Sequence, residues 1–250
     1  MDFNNKVVIV TGASSGIGAA TAEAFAKLSA SVVLVGRNAE KLRAVAQKCE
    51  NAKGKKPLVI KADMSVDFDV KKVVFETVDK FSKIDVLVNN AGFTANGGIR
   101  DGIEIYDKVM STNVRGVYLL TSLAVPHLVK TRGNIVNVSS IVAKKTVKSF
   151  NWLAYSMSKA ALDHFTRCVA LELASEGVRV NAVNPGAVRT PFYEVISVPE
   201  TMLKKFDAVM PLGKIAESEE IADMIVYLAS DKARSITGVT NVIDNGNMLI

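Results

Sequence analysis

Cysteine is nearly absent. Cys49 and Cys168 are the two in 250 residues. They are far apart and lack ligand-like spacing, which argues against a disulfide-stapled scaffold and against a cysteine metal cluster. Histidine is as scarce: His127 and His164 sit singly in apolar stretches with helical spacing. They read as packed or surface residues rather than metal ligands or bases, and no metal site is expected. No apolar run approaches the roughly 18 residues needed to cross a bilayer. Met1 to Thr11 also shows no basic leader followed by a long greasy segment. The expectation is a cytoplasmic protein without a membrane partner. Internal repeats, low-complexity tracts and linker-like stretches are missing too, so nothing marks a second domain. Ser14, Ser15, Ser139 and Ser140 lack a G-x-S-x-G elbow, which argues against a serine hydrolase.

What is present fits one large domain over 1–250, 49% hydrophobic and 22% charged. The net charge of +6 could serve nucleic acid. The lysines, however, lie in small scattered groups such as Lys71-Lys72, Lys144-Lys145 and Lys204-Lys205, without interleaved aromatics. They read as solvated surface, with no nucleic-acid partner.

Val7–Val10 is a short β-branched run that leads through Thr11-Gly12 into a helical pattern from Gly16 to about Leu28. Similar runs recur at Val32–Val35, Leu58–Ile60, Val86–Val88, Ile135–Val138, Val178–Val183 and Thr240–Ile243. Helix-length segments separate them, at Ala39–Asn51, Val66–Phe81, about Gly102–Lys130, Leu153–Ser175 and about Ser218–Ser230. This alternation predicts an α/β fold with a parallel sheet covered on both faces. In the 153–175 helix, Leu162, Phe165, Val169 and Leu173 predict a buried stripe. Over 186–212 the pattern weakens, with Pro191, Pro199 and Pro211 along it. A long segment after a strand's carboxyl end belongs over the binding crevice, so it reads as a mobile substrate cover.

Gly12, Gly16 and Gly18, in the turn Thr11-Gly12-Ala13-Ser14-Ser15-Gly16-Ile17-Gly18, follow a strand and open a helix. Main-chain N–H groups there can approach a pyrophosphate at the positive end of a helix dipole. At the end of the second strand, where NAD sites place a carboxylate for the ribose, the sequence reads Val35-Gly36-Arg37-Asn38. Arg37 instead offers a planar fork suited to a 2′-phosphate, which predicts NADP(H). Asp63 is a candidate acceptor for an adenine amino group, and Asn89-Asn90-Ala91-Gly92 ends the fourth strand where the crevice opens. Tyr155 and Lys159 lie one helical turn apart. A phenol becomes a useful acid or base near neutrality when a fixed cation stabilises its anion, and the same ammonium can hold sugar hydroxyls.

With these residues in place the chain resembles a short-chain dehydrogenase/reductase. The likeness spans nearly the whole sequence. It rests on Thr11-Gly12-x-x-x-Gly16-Ile17-Gly18, Asn89-Asn90-Ala91-Gly92, Asn113, Ser139-Ser140, Tyr155-x-x-x-Lys159, Asn184-Pro185-Gly186-x-x-x-Thr190 and Asp244-x-Gly246. It implies a Rossmann-type doubly wound sheet of about seven parallel strands, a nicotinamide cofactor, and a homotetramer assembled through long helices. It further implies that Ile17, Met64 and Val188 contact the cofactor and that Thr190 lies near the carboxamide. Ser14, Ser15, Asn90, Ala91, Gly92, Pro185 and Gly186 join the cofactor-binding set with the motifs that contain them. Tyr155 becomes the acid/base, Lys159 the cation that lowers its pKa and binds the ribose, Asn113 the anchor of a water-linked proton path, and Ser140 the residue orienting the substrate oxygen, with Ser139 as the alternative. The departure is Ala143–Phe150, longer than in many relatives and carrying lysines in place of small residues.

The activity so implied is hydride transfer between nicotinamide and a carbonyl or alcohol. The alternative is a catalytically silent dinucleotide-binding regulator. The cover carries Pro191, Phe192, Tyr193, Val195, Ile196, Val198, Met202, Leu203 and Phe206, and Phe150 and Trp152 are within reach of the same cavity in sequence terms. An apolar substrate follows: a steroid, an isoprenoid, a 3-oxoacyl group or a xenobiotic ketone. Lys144, Lys145 and Lys148 hint at an anionic acyl carrier.

Overall fold

The computed structural model describes residues 1–53, 55–146, 151–195 and 199–250. Its centre is a sheet of seven strands, all parallel: β1 (Val7–Thr11), β2 (Ser31–Gly36), β3 (Leu58–Lys61), β4 (Val86–Asn89), β5 (Asn134–Val138), β6 (Arg179–Pro185) and β9 (Thr240–Ile243). The order across the sheet is β3-β2-β1-β4-β5-β6-β9. All seven apolar runs of the sequence are strands of this sheet. A separate two-strand ribbon joins β7 (Val188–Arg189) to β8 (Ala216–Glu217).

Successive side chains of a strand point to opposite faces, and β1 shows how both are buried. Val8 and Val10 pack with Phe25 of α1 (Gly16–Lys27), Leu42 of α2 (Ala39–Lys53) and Ile221 and Ile225 of α9 (Ser218–Ala229). Val7 and Ile9 pack on the other side with Val70 of α3 (Asp67–Phe81), Leu120 of α5 (Val117–Thr131) and Leu173 of α6 (Leu153–Leu173). Two layers of helices therefore sandwich a sheet whose inner strands touch no water, which is why these strands read as continuous apolar runs.

The predicted helix over 102–130 forms in three pieces. These are α4 (Glu104–Met110), a π-helical turn over Ser111–Gly116, and α5. Gly116 lies where a β-carbon would come within 2.0 Å of the Met64 carbonyl, so the turn packs main chain against main chain. The stripe predicted on α6 needs correction. Leu162 and Leu173 are buried, but Phe165 and Val169 are only half-buried, and the buried face runs instead through Tyr155, Ser158, Lys159, Asp163 and Thr166. Phe165 leans outward against Tyr118, ring centroids 5.9 Å apart. Helical spacing was right in period but misplaced in phase, because the inward face of this helix serves the site and is polar. The 186–212 segment holds more regular structure than expected: β7, α7 (Phe192–Val195) and α8 (Glu200–Val209).

Strand order reverses between β1 and β4, so the crossovers leaving their carboxyl ends run in opposite directions and open a crevice there. Thr11 fastens its two sides. Its hydroxyl donates to the Val88 carbonyl at 3.2 Å and accepts from the main-chain N–H of Asn90 and Ala91, each at 3.0 Å.

Candidate active site

The crevice holds a cavity of about 470 Å³ that runs from the amino end of α1, past the ends of β2 and β3, to the amino end of α6. At its first end the wall is main chain. Gly12 has φ +65° and Gly16 φ +53°, left-handed values that side chains resist. A β-carbon on Gly12 would also lie 2.9 Å from the Ala91 Cα. No side chain caps the amino terminus of α1 and no acidic residue lies in its first turn. The free N–H groups and positive dipole end are therefore left to an anionic ligand, and a pyrophosphate fits the residues present.

Arg37 and Lys41 line the next stretch with Ser14, Ser15, Asn38 and Asp63. Arg37 is largely solvent-exposed, and its Nη1 lies 3.9 Å from Asp63 Oδ2. The other carboxylate oxygen of Asp63 accepts from the Ser65 N–H at 2.9 Å and the Ser65 hydroxyl at 2.7 Å, so this carboxylate already has partners. Met64, Asn90, Ala91 and Gly92 complete this wall, and Pro185, Gly186, Val188 and Thr190 close it from the opposite side.

Two expected residues stand behind the wall. Gly18 does not line the cavity: a β-carbon there would meet the Gly12 carbonyl oxygen at 2.3 Å, so its smallness lets α1 press on the turn. Asn113, in the π-helical turn, is buried and does not line it either. Its Oδ1 accepts from the Phe93 N–H at 2.8 Å, and its Nδ2 donates to the Phe93 carbonyl and the Ser158 hydroxyl, each at 2.9 Å. The π turn aims this amide inward.

At the far end, Tyr155 and Lys159 face the cavity from α6 beside Ser140, which follows β5. The Ser140 hydroxyl stands beside the phenol, donates to the Pro185 carbonyl at 3.5 Å and accepts from the Val142 N–H at 3.3 Å. The Ser139 hydroxyl turns away to the Lys159 carbonyl at 3.2 Å, so the structure sets Ser140, not Ser139, against the phenol. Lys159 Nζ donates to the Val138 carbonyl at 2.7 Å and lies 5.5 Å from the Tyr155 ring centroid. Burial pulls its pKa down to about 8, against which the carboxylate of Asp163 works. The phenol moves the other way. Burial pushes its pKa above the ordinary range and the neighbouring Tyr193 adds to this, with Ser140 opposing. Burial is the largest influence on the phenol in this structure. What stands there is a neutral phenol able to donate a proton.

Aromatic rings surround that phenol. Trp152 and Phe192 lie 5.6 and 6.0 Å from Tyr155 by centroid, and Tyr193 lies 5.7 Å from Phe192. Phe93 lines the cavity beside them. Phe206 packs on Tyr193 at 6.2 Å but does not reach the wall, and Leu203 is buried in the same cluster. Residues 147–150 and 196–198 lie outside the described residues, and with them Lys148, Phe150, Ile196 and Val198; so do the side chains of Val195 and Met202. Lys144 and Lys145 do not face the cavity. Lys144 donates to the Thr240 hydroxyl at 2.7 Å, and Lys145 to the carbonyls of Asn247 and Ile250.

Sequence reading missed Lys41, Phe93 and Thr112 on the wall. Lys41 had a signal, one helical turn beyond Arg37 and in the first turn of α2; Phe93 and Thr112 had none, because only the folded crossovers bring them in.

A family profile described as Enoyl-(Acyl carrier protein) reductase matches residues 12–247. The chain is 39% identical over 250 residues to the 3-oxoacyl-(acyl-carrier-protein) reductase FabG of Thermotoga maritima, covering 98% of this chain and 99% of that one. It is also 39% identical to the glucose 1-dehydrogenase of Gluconobacter oxydans over 248 residues, 98% of this chain and 92% of that one. The crystal structure of the 3-ketoacyl-(acyl-carrier-protein) reductase from Brucella melitensis complexed with NADH superposes with a TM-score of 0.90 at 34% identity, covering 98% of this chain and 99% of that one. A dinucleotide crevice ending at a buried Tyr–Lys–Ser group, on a chain so related, makes this an oxidoreductase of alcohols and carbonyls that uses a nicotinamide dinucleotide, and the protein belongs to the short-chain dehydrogenase/reductase family.

Proposed function

We propose that the protein is an NADP(H)-dependent reductase or dehydrogenase of a largely apolar carbonyl or alcohol. The observation that carries the substrate reading is the ring of Trp152, Phe192, Tyr193 and Phe93 around the Tyr155–Ser140 pair. Such a wall favours flat, apolar ketones: steroid, isoprenoid, 3-oxoacyl or xenobiotic. When bound, nicotinamide supplies or takes the hydride. Tyr155 donates its proton to the carbonyl oxygen on reduction and takes it back on oxidation. Ser140 holds that oxygen, Lys159 holds the ribose and keeps a positive charge beneath the phenol, and Asn113 fixes the Phe93 loop and, through Ser158, the turn of α6 that carries Tyr155. Gly12, Ser14, Ser15, Gly16 and Ile17 cradle the phosphates, with Gly18 behind them. Met64, Asn90, Ala91, Gly92, Pro185, Gly186, Val188 and Thr190 enclose the nucleosides, and Asp63 flanks the adenine. The 186–212 segment covers the substrate.

Choice of NADP(H) rests on charge. Arg37 and Lys41 stand at the end of β2 where Gly36 leaves no carboxylate. A charge-assisted hydrogen bond contributes about 1.5–3 kcal/mol, which corresponds to a preference of about ten- to a hundredfold. A homotetramer is supported by the outward faces of α5 and α6, which leave Tyr118 and Leu171 64% and 82% exposed. A consumer of the cellular nicotinamide pool belongs in the cytoplasm.

The test is fluorescence titration with NADPH and NADH, followed by dinucleotide consumption against ketones of the four classes and small sugars. Tighter NADPH binding and turnover of flat ketones are expected. Binding without turnover of any carbonyl makes the protein a dinucleotide sensor, and fast turnover of sugars removes the apolar reading.

A further inference from the structure

On α6 the inward polar face does not stop at Lys159. One turn further on is Asp163, whose side chain is only 7% exposed. A carboxylate this deep is costly unless it is charged against a partner and hydrogen-bonded. It has both. Asn184 on β6, wholly buried, directs its Nδ2 at Asp163 Oδ1 and Oδ2 at 3.1 and 2.9 Å, and at the Ser140 carbonyl at 3.0 Å. Three acceptors around one NH₂ group fix the orientation of the amide, since the reverse would set an oxygen against a carboxylate. The Asn184 Oδ1 is left without a hydrogen-bond partner in the interior.

We propose that Asp163 is a positioning residue for the reaction: its buried charge holds Lys159 in the ammonium form, and through Asn184 it fixes the main chain of Ser140. The inference rests on the oxidoreductase reading of the site for its functional meaning, but not for its test. Among the described residues, the titratable groups beside Lys159 are Tyr155 and Asp163 on its own helix, and Tyr193, on the segment after β7, acts on Tyr155. Lys144, from the segment after β5, forms an ion pair with Asp163 Oδ2 at 4.0 Å. The Val138 carbonyl of β5 and the Asn113 amide add no charge. Among the described residues, Asp163 is the anion that acts on an ammonium that burial disfavours.

The experiment is a pH titration of the ligand-free protein labelled with ¹³Cε-lysine, read by NMR, with Lys159→Met identifying the resonance. In the wild type Lys159 should titrate near 8. In Asp163→Asn it should titrate at least about one pH unit lower, the size of effect a close opposite charge exerts, and Asp163→Glu should bring it most of the way back. Asp163→Ser removes the same charge and serves if the asparagine variant does not fold. The alkaline fall of dinucleotide binding, followed with NADPH and NADH, should move by the same interval. A Lys159 resonance unmoved by both neutral variants overturns the proposal. A wild type that binds neither dinucleotide overturns the oxidoreductase reading instead, and leaves the titration to decide this one.

Discussion

At the phosphate end of the crevice the wall is made of main chain: left-handed glycines, an uncapped helix terminus and a strand turn locked by the Thr11 hydroxyl. At the substrate end it is made of side chains: a phenol, an ammonium, a serine and a set of rings brought from α6, α7 and the loop after β4. The first end is specified by where side chains must be absent. A β-carbon at Gly12, Gly16 or Gly18 meets neighbouring atoms at 2.8, 3.0 and 2.3 Å respectively. The second is specified by which side chains meet. One end therefore tolerates almost no change in sequence and accepts one kind of ligand, whereas the other can be refitted ring by ring around an unchanged reacting centre.

Tyr155→Phe is the largest break in that contrast. Loss of positioned acid catalysis should lower turnover about 10²–10⁴-fold, while NADPH affinity, measured by fluorescence titration, stays within about twofold because the phosphate end is untouched. Turnover at the wild-type level would mean that the phenol is not the proton donor. Next comes Arg37→Ala. It should weaken NADPH about ten- to a hundredfold and leave NADH nearly unchanged, as read by competitive titration of the two dinucleotides. Equal losses for both would assign Arg37 to the surface.

The same contrast explains what the sequence disclosed. The phosphate end was legible because its constraints are local: Gly12, Gly16 and Gly18 fall within seven residues, and a strand, a turn and a helix follow one another in the chain. The seven buried strands were legible for a related reason, since burial on both faces writes itself as unbroken apolar runs. Tyr155 and Lys159 were legible through their one-turn spacing. The phase of α6 was not, because Phe165 and Val169 satisfy a helical apolar pattern as well as Leu162 does, and the sequence carries no sign that Asp163 and Thr166 turn inward instead. Asn184 lay in a motif that pointed to the family, yet its bonds to Asp163 and Ser140 cross 21 and 44 residues and exist only in the folded sheet.

Phe192→Ala sharpens the other side of the contrast. Its ring stands within about an aromatic contact of Trp152, Tyr155 and Tyr193, and such a contact contributes about 0.5–1.5 kcal/mol. KM for a flat aryl or steroid ketone should rise about two- to tenfold with kcat and NADPH affinity little changed. A fall in kcat with KM unchanged would show that Phe192 orients Tyr155 rather than the substrate.

The smallest effect is on stability, and its sign follows from Lys159. The folded chain holds this amine at a pKa of about 8 against 10.5 for an ordinary lysine, because burial disfavours the charge. Between those two values the unfolded chain binds more protons than the folded one, so wild-type stability gains as pH rises through the window. Below pH 8 both states carry the charge, and the cost of burying it is fully present. Lys159→Met cannot show this dependence. Its melting temperature relative to the wild type should therefore be highest at and below about pH 8 and should fall steadily toward pH 10.5. Titrating groups that do not interact with Lys159 act equally on both proteins and cancel in the difference. A gap that stays level across the window would mean that the amine is not held under strain, and that the substrate end stores no more electrostatic cost than the main-chain cradle at the other end of the crevice.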